Sequence, residues 1–162
     1  MDGTPDMLLG FILDSVPYYV RWHPDEWALD RVVATSSGQW AFESPDECRA
    51  AWQSWEPDEV ESPHAADLDV VIAWLAGRSL AMPTEQVLNA WNWAGDVARG
   101  VGLPWHDRGR LSERVHSKLT FAAVPFLIKQ ERYSPRWSSR EFATARQVAV
   151  DAVTLVRRAL LR

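Results

Sequence analysis

The period of apolar positions changes along this chain. In the first part it is short. Residues 10–13 and 18–22 are aromatic and β-branched runs with Pro17 between them, and they read as two strands. Residues 31–35 and 39–43 are joined by Ser36, Ser37 and Gly38, and Val32, Ala34, Trp40 and Phe42 alternate with more polar neighbours. That alternation predicts a half-buried hairpin.

From Ser44 onward the spacing becomes helical. Ser44, Pro45 and Glu47 form a helix start with the residue types of a capping box, and the helix is expected to run to about Trp55 before Pro57. Residues 66–77 predict a second, apolar helix with Val70, Val71, Trp74 and Leu75. A third opens at Pro83 and Thr84 and closes at Gly100 and Gly102, since glycine readily takes the left-handed conformation past a helix end. Ser112 is read as the cap of a fourth helix running toward Val124. Ser138 or Ser139 starts a long last helix to about Leu161, whose polar stripe (Arg140, Thr144, Gln147, Asp151, Thr154 and Arg158) is narrow enough to predict an embedded helix. The expected fold class is a helix-rich α+β domain, with a small N-terminal antiparallel sheet or hairpin followed by four or five packed helices.

Length and composition fit one globular domain over residues 1–162, with a loose tail at 1–6 and an acidic connector at 56–65. Hydrophobic residues make up 47% and charged residues 24%, which is ordinary for a globular protein. Ten tryptophans are not ordinary, and most are expected in the core, with one or two free to anchor an interface. Cys48 is the only cysteine, so no disulfide can form within the chain. No apolar run approaches the length of a membrane span. Asp2 and Asp6, with no basic residue near them, argue against a secretory signal, so a cytoplasmic location is expected. Fifteen Arg against two Lys point to a GC-rich bacterial genome.

Charge changes the picture more than composition does. Residues 1–98 hold 17 Asp and Glu against 4 Arg, whereas residues 99–162 hold 13 Lys and Arg against 5 Asp and Glu. The whole-chain charge of −5 hides this separation. Such asymmetry concerns partners and assembly, not fold.

No nucleophile, phosphate-loop, dinucleotide or metal-ligand motif is present, so no catalytic residue, cofactor or metal is assigned. Three surfaces remain. Trp52 and Trp55 precede an acidic run with Glu56, Asp58, Glu59 and Glu61, which suits recognition of a basic protein. His106, Arg108 and Arg110 lie just before a predicted helix start, where an anion is favoured. Asn89, Asn92, Trp93 and Asp96 share the side of their helix opposite the apolar stripe of Val87, Trp91, Ala94, Ala98 and Val101, and read as an exposed patch unless another element covers Trp93.

The expected function is therefore a non-enzymatic protein-binding module, of the type of an acidic inhibitor or immunity protein that neutralises a basic bacterial partner such as a nuclease toxin. The alternative is a small enzyme or binding protein for a phosphorylated or nucleotide ligand, using residues 105–110. Nucleic-acid binding is disfavoured, because the arginines gather on no one predicted helix. A chain with one acidic and one basic half can also pair with its own copy.

Overall fold

The computed structural model describes residues 4–26, 28–57, 66–105, 109–124, 127 and 133–162. Within them, three strands precede five helices, giving a helix-rich α+β fold. Strands β1 (Met7–Leu13), β2 (Val16–His23) and β3 (Arg31–Val33) form an antiparallel sheet in the order β1-β2-β3. The β1–β2 turn is Asp14 and Ser15, both at positive φ (52° and 65°), as a tight two-residue hairpin requires. Pro17 therefore lies inside β2 opposite Ile12 and does not separate the two strands. The backbone N–H groups of Asp14 and Ser15 each donate to the Asp69 carboxylate at 2.7 Å, so a side chain from the second helix holds this left-handed turn.

Of the hairpin expected over 31–35 and 39–43 the turn forms, closed by the Thr35 N–H donating to the Gln39 carbonyl at 2.8 Å, but the arms do not continue as a ladder. Both arms dock on β2 instead. Val33 pairs with Arg21, and the chain then leaves the sheet and rejoins it with Phe42 opposite Tyr19, seven residues later than the register of β3 would place it. The cause is Trp40. Its ring lies 5.7 Å from Phe11, nearly parallel to it, and its Nε1–H donates to the Ala159 carbonyl at 3.0 Å.

Helix α1 (Pro45–Ala50) is capped by Ser44, whose Oγ accepts from the Glu47 N–H at 3.1 Å. It ends five residues before the expected Trp55. Beyond it the chain turns at Ser54 (φ 59°), bringing Trp52 edge-on to both Phe42 and Trp55. Helix α2 (Leu68–Leu75) is capped by Asp67. Helix α3 (Thr84–Val101) ends at left-handed Gly102, as its sequence predicts. Helix α4 (Arg110–Ala123) starts two residues before Ser112, from Gly109. Helix α5 (Ser139–Leu160) opens on a full capping box between Ser138 and Glu141.

The two faces of the sheet divide the core. Phe11, Leu13 and Val20 face the helices and join one large cluster with α2, α3, α4 and α5. Leu8 points the other way and packs with Phe42 and Cys48, half covered by Tyr19, Trp52 and Trp55. Helix α3 is central. It packs on β3 so closely that a Cβ at Gly100 would come within 2.2 Å of the Val32 carbonyl oxygen.

Helix α5 departs from its expected place. Arg140, Phe142, Ala143, Arg146, Gln147, Val150, Asp151, Thr154, Arg157 and Arg158 are exposed, so it lies on the outside of the domain and buries one side only. The apolar residues Phe142 and Val150 widen the wet face beyond its polar stripe.

Candidate functional site

Helix α3 carries Asn92, Asp96 and Arg99 at helical spacing on one side. That side looks onto a cleft of about 590 Å³, with Gly95 between them and Trp91 and Ala98 in its lining. Leu29 and Asp30, from the segment between β2 and β3, form one wall; Leu103, Trp105 and His116 form the other. Size and lining suit a small-molecule site, since such sites combine apolar and aromatic walls with a few convergent polar groups.

Arg99 and Asp96 are the charged pair of the cleft. The Arg99 Nε–H donates to the Asp30 carbonyl at 2.7 Å, and its Nη2 donates to Asp96 Oδ1. Gly95 makes this possible, because a Cβ there would stand 3.1 Å from Arg99 Nη1. The other Asp96 oxygen, Oδ2, accepts from the Trp22 Nε1–H of β2 at 3.0 Å. Only 13% of the Asp96 side chain is exposed. Burial pushes its carboxyl up to about 6, with the charge of Asp30 adding to the rise, while the Trp22 and Arg99 hydrogen bonds and the Arg99 charge oppose it. Asp96 thus exchanges a proton close to neutrality, beside a ligand-sized space. Across the cleft, His116 Nε2 lies 2.8 Å from Asn92 Oδ1 and its ring meets Trp91 edge-on.

Comparison with protein-family models, curated proteins and solved structures returns no match for this chain.

The structure redistributes the residues singled out by sequence. Asn92 and Asp96 come to the cleft, and Asn89 lies half-buried on the same helix outside its lining. Trp93 does not belong to an exposed patch. It is 6% exposed and sits against Phe11 of β1 at 5.3 Å, so the sheet covers the ring that the helix alone would have left wet. His106 and Arg108 lie outside the described residues. Their neighbour Trp105 is in the cleft wall, and Arg110 is exposed at the start of α4. Arg99, His116 and Asp30 were missed. The spacing of Asn92, Asp96 and Arg99 was a usable signal for Arg99, whereas His116 and Asp30 arrive only through tertiary packing.

On the opposite side of the sheet, Trp52 and Trp55 are half-buried. The Arg21 guanidinium stands over both rings, 5.3 and 5.1 Å from their centroids. Glu56 is exposed, while Asp58, Glu59 and Glu61 lie outside the described residues. Cys48 is buried beneath this group, and desolvation raises its thiol to about 12 even though Arg49 and Arg21 oppose the rise, so it is no nucleophile.

The two charged halves meet at few direct ion pairs among the described residues. Among the described residues the ion pairs joining them are Asp14 with Arg157 and, at the boundary itself, Asp96 with Arg99. Asp6, Asp25 and Asp46 pair with Arg21, Arg31 and Arg49 of their own half. Arg146 and Arg162 donate to the backbone carbonyls of Leu75 and Val101. Also among the described residues, no group of three metal-ligating side chains is placed to hold an ion, and no helix is long and apolar enough to cross a membrane.

Proposed function

We propose that this protein binds a small polar molecule with an anionic group, such as a phosphorylated or nucleotide ligand, in the cleft between α3 and α4. The supporting observation is the convergence of Asn92, Asp96, Arg99 and His116 with two indoles, Trp91 and Trp105, around one ligand-sized space. Arginine suits the anion because its planar fork matches phosphate and carboxylate oxygens. The absence of an activated nucleophile in the described cleft favours binding over covalent chemistry. Isothermal titration with AMP as probe tests the reading. A saturable one-to-one heat, lost in Arg99→Gln and in Asn92→Ala, is expected; no heat with the wild-type protein contradicts it.

A second reading keeps the acidic surface as a docking site for a basic protein, such as a nuclease toxin to be inhibited. It is favoured by the acidic surplus of residues 1–98, 17 Asp and Glu against 4 Arg. The Trp52 and Trp55 rings are partly covered by the protein's own Arg21, so a basic partner would dock beside that cation and displace or flank it. Association with a basic ribonuclease should then weaken steeply between about 50 and 500 mM salt, as screening shortens. Binding indifferent to salt contradicts this reading.

A further inference from the structure

We infer that the anionic group of the ligand replaces Asp96 as the counter-ion of Arg99, so that the cleft takes up its ligand together with a proton. This deepens the cleft reading and rests on it. Three observations carry it.

First, the Arg99 guanidinium is held in place on the cleft. Nε binds the Asp30 carbonyl and Nη2 binds Asp96, while about a third of the side chain stays open to solvent at the cleft. Second, the Trp105 indole lines the cleft, and its buried Nε1, like that of Trp93 in the core, has no hydrogen-bond partner among the described residues. A guanidinium partly open to the cleft suits an acceptor-rich group, a carboxylate or a phosphate. Third, a carboxylate already occupies the guanidinium. An incoming anion would meet Asp96 as a like charge unless that side chain is neutral. Protonation removes the repulsion and leaves the Trp22 hydrogen bond on Oδ2 intact.

The balance is simple. One proton from solvent adds to an Asp96 carboxylate oxygen, no other bond is made or broken, and the ligand brings the compensating negative charge. The charged and titratable groups facing Asp96 are Arg99 from its own helix, Asp30 from the segment before β3, and His116 from α4 across the cleft; Trp22 of β2 supplies an uncharged donor. Asp6 holds Arg21 and lies against His23, and Asp25 holds Arg31, so those side chains are engaged elsewhere. His116 brings an imidazole to the cleft lining, so its substitution is the control.

The experiment titrates benzoate, and separately inorganic phosphate, into protein labelled at the indole nitrogens, following the Trp22 and Trp105 signals. Benzoate keeps one charge across the range, so it isolates the protein's own protonation. Because only the protonated form is competent, benzoate should bind about 20-fold more tightly at about pH 5.5 than at about pH 7.5. Asp96→Asn should bind at the higher pH as strongly as wild type does at the lower one, and His116→Gln should keep the wild-type slope. Phosphate binding without benzoate binding would assign the anion as a phosphate, benzoate binding alone as a carboxylate, and either supports the inference if the slope is present. Equal wild-type affinity at both pH values overturns the inference and leaves the cleft reading standing. So does a slope that survives in Asp96→Asn and disappears in His116→Gln. Absence of any indole shift with either anion, in wild type and in Asp96→Asn, overturns the cleft reading itself.

Discussion

Asp96 sets the chemistry of the cleft at the scale of one residue. Its carboxyl is raised in the folded state, so between about pH 4 and about 6 the fold holds a proton that the unfolded chain releases. The associated stability is complete below the ordinary carboxylate range and is lost as pH rises through about 6. A rise of that size corresponds to about 3 kcal/mol. Urea unfolding of Asp96→Asn and wild type should therefore show a difference that grows in the variant's favour by up to about 3 kcal/mol between about pH 4 and about pH 7.5. A difference constant with pH would remove the raised carboxyl. Trp93 gives a second test. Its ring fills the space between α3 and β1, so Trp93→Ala should lose about 3–5 kcal/mol, as deletion of a buried aromatic does. A loss below about 1 kcal/mol would return Trp93 to the surface.

Among the elements, α3 is the one on which both fold and site depend. One side packs on β3 and the core, and the other lines the cleft. Gly100 fixes the distance between α3 and β3. Replacing a helical glycine by alanine normally stabilises by about 0.5–1 kcal/mol. Here the new Cβ would collide with the Val32 carbonyl, so Gly100→Ala should destabilise by about 1–3 kcal/mol. A stabilising effect in thermal unfolding would contradict the close approach. The elements also show what sequence could reveal. Caps and stops are local chemistry, so Ser44, Ser138 with Glu141, and Gly102 marked real helix ends. Strand pairing is not local. The alternation through Val32, Ala34, Trp40 and Phe42 was correct as a sign of half-burial, but it could not say that both arms would pair with β2 or that Trp40 would be pulled to Phe11. The extent of α5 was legible, yet its exposure was not, because Phe142 and Val150 face outward despite their type.

Over the whole molecule, the sheet separates two candidate surfaces. The Trp52, Trp55 and Arg21 cluster lies behind it, on the side of α1, and the α3–α4 cleft lies in front. Sequence located Trp52, Trp55 and Glu56 of one surface and Asn92 and Asp96 of the other; the cleft itself depends on residues far apart in the chain, Asp30, Asp96 and His116, meeting in space. Direct ion pairs between the two charged halves are few among the described residues, so long-range attraction for a cationic partner and local capture of an anion can coexist on opposite sides of one protein. The most direct test of the cleft as the functional site is a map of backbone amide shifts on binding a library of small anionic fragments. Shifts gathered on Asn92, Gly95, Asp96, Arg99, Trp105 and His116 are expected. Shifts gathered around Trp52, Trp55 and Glu56, or spread over the molecule without a focus, would contradict the account.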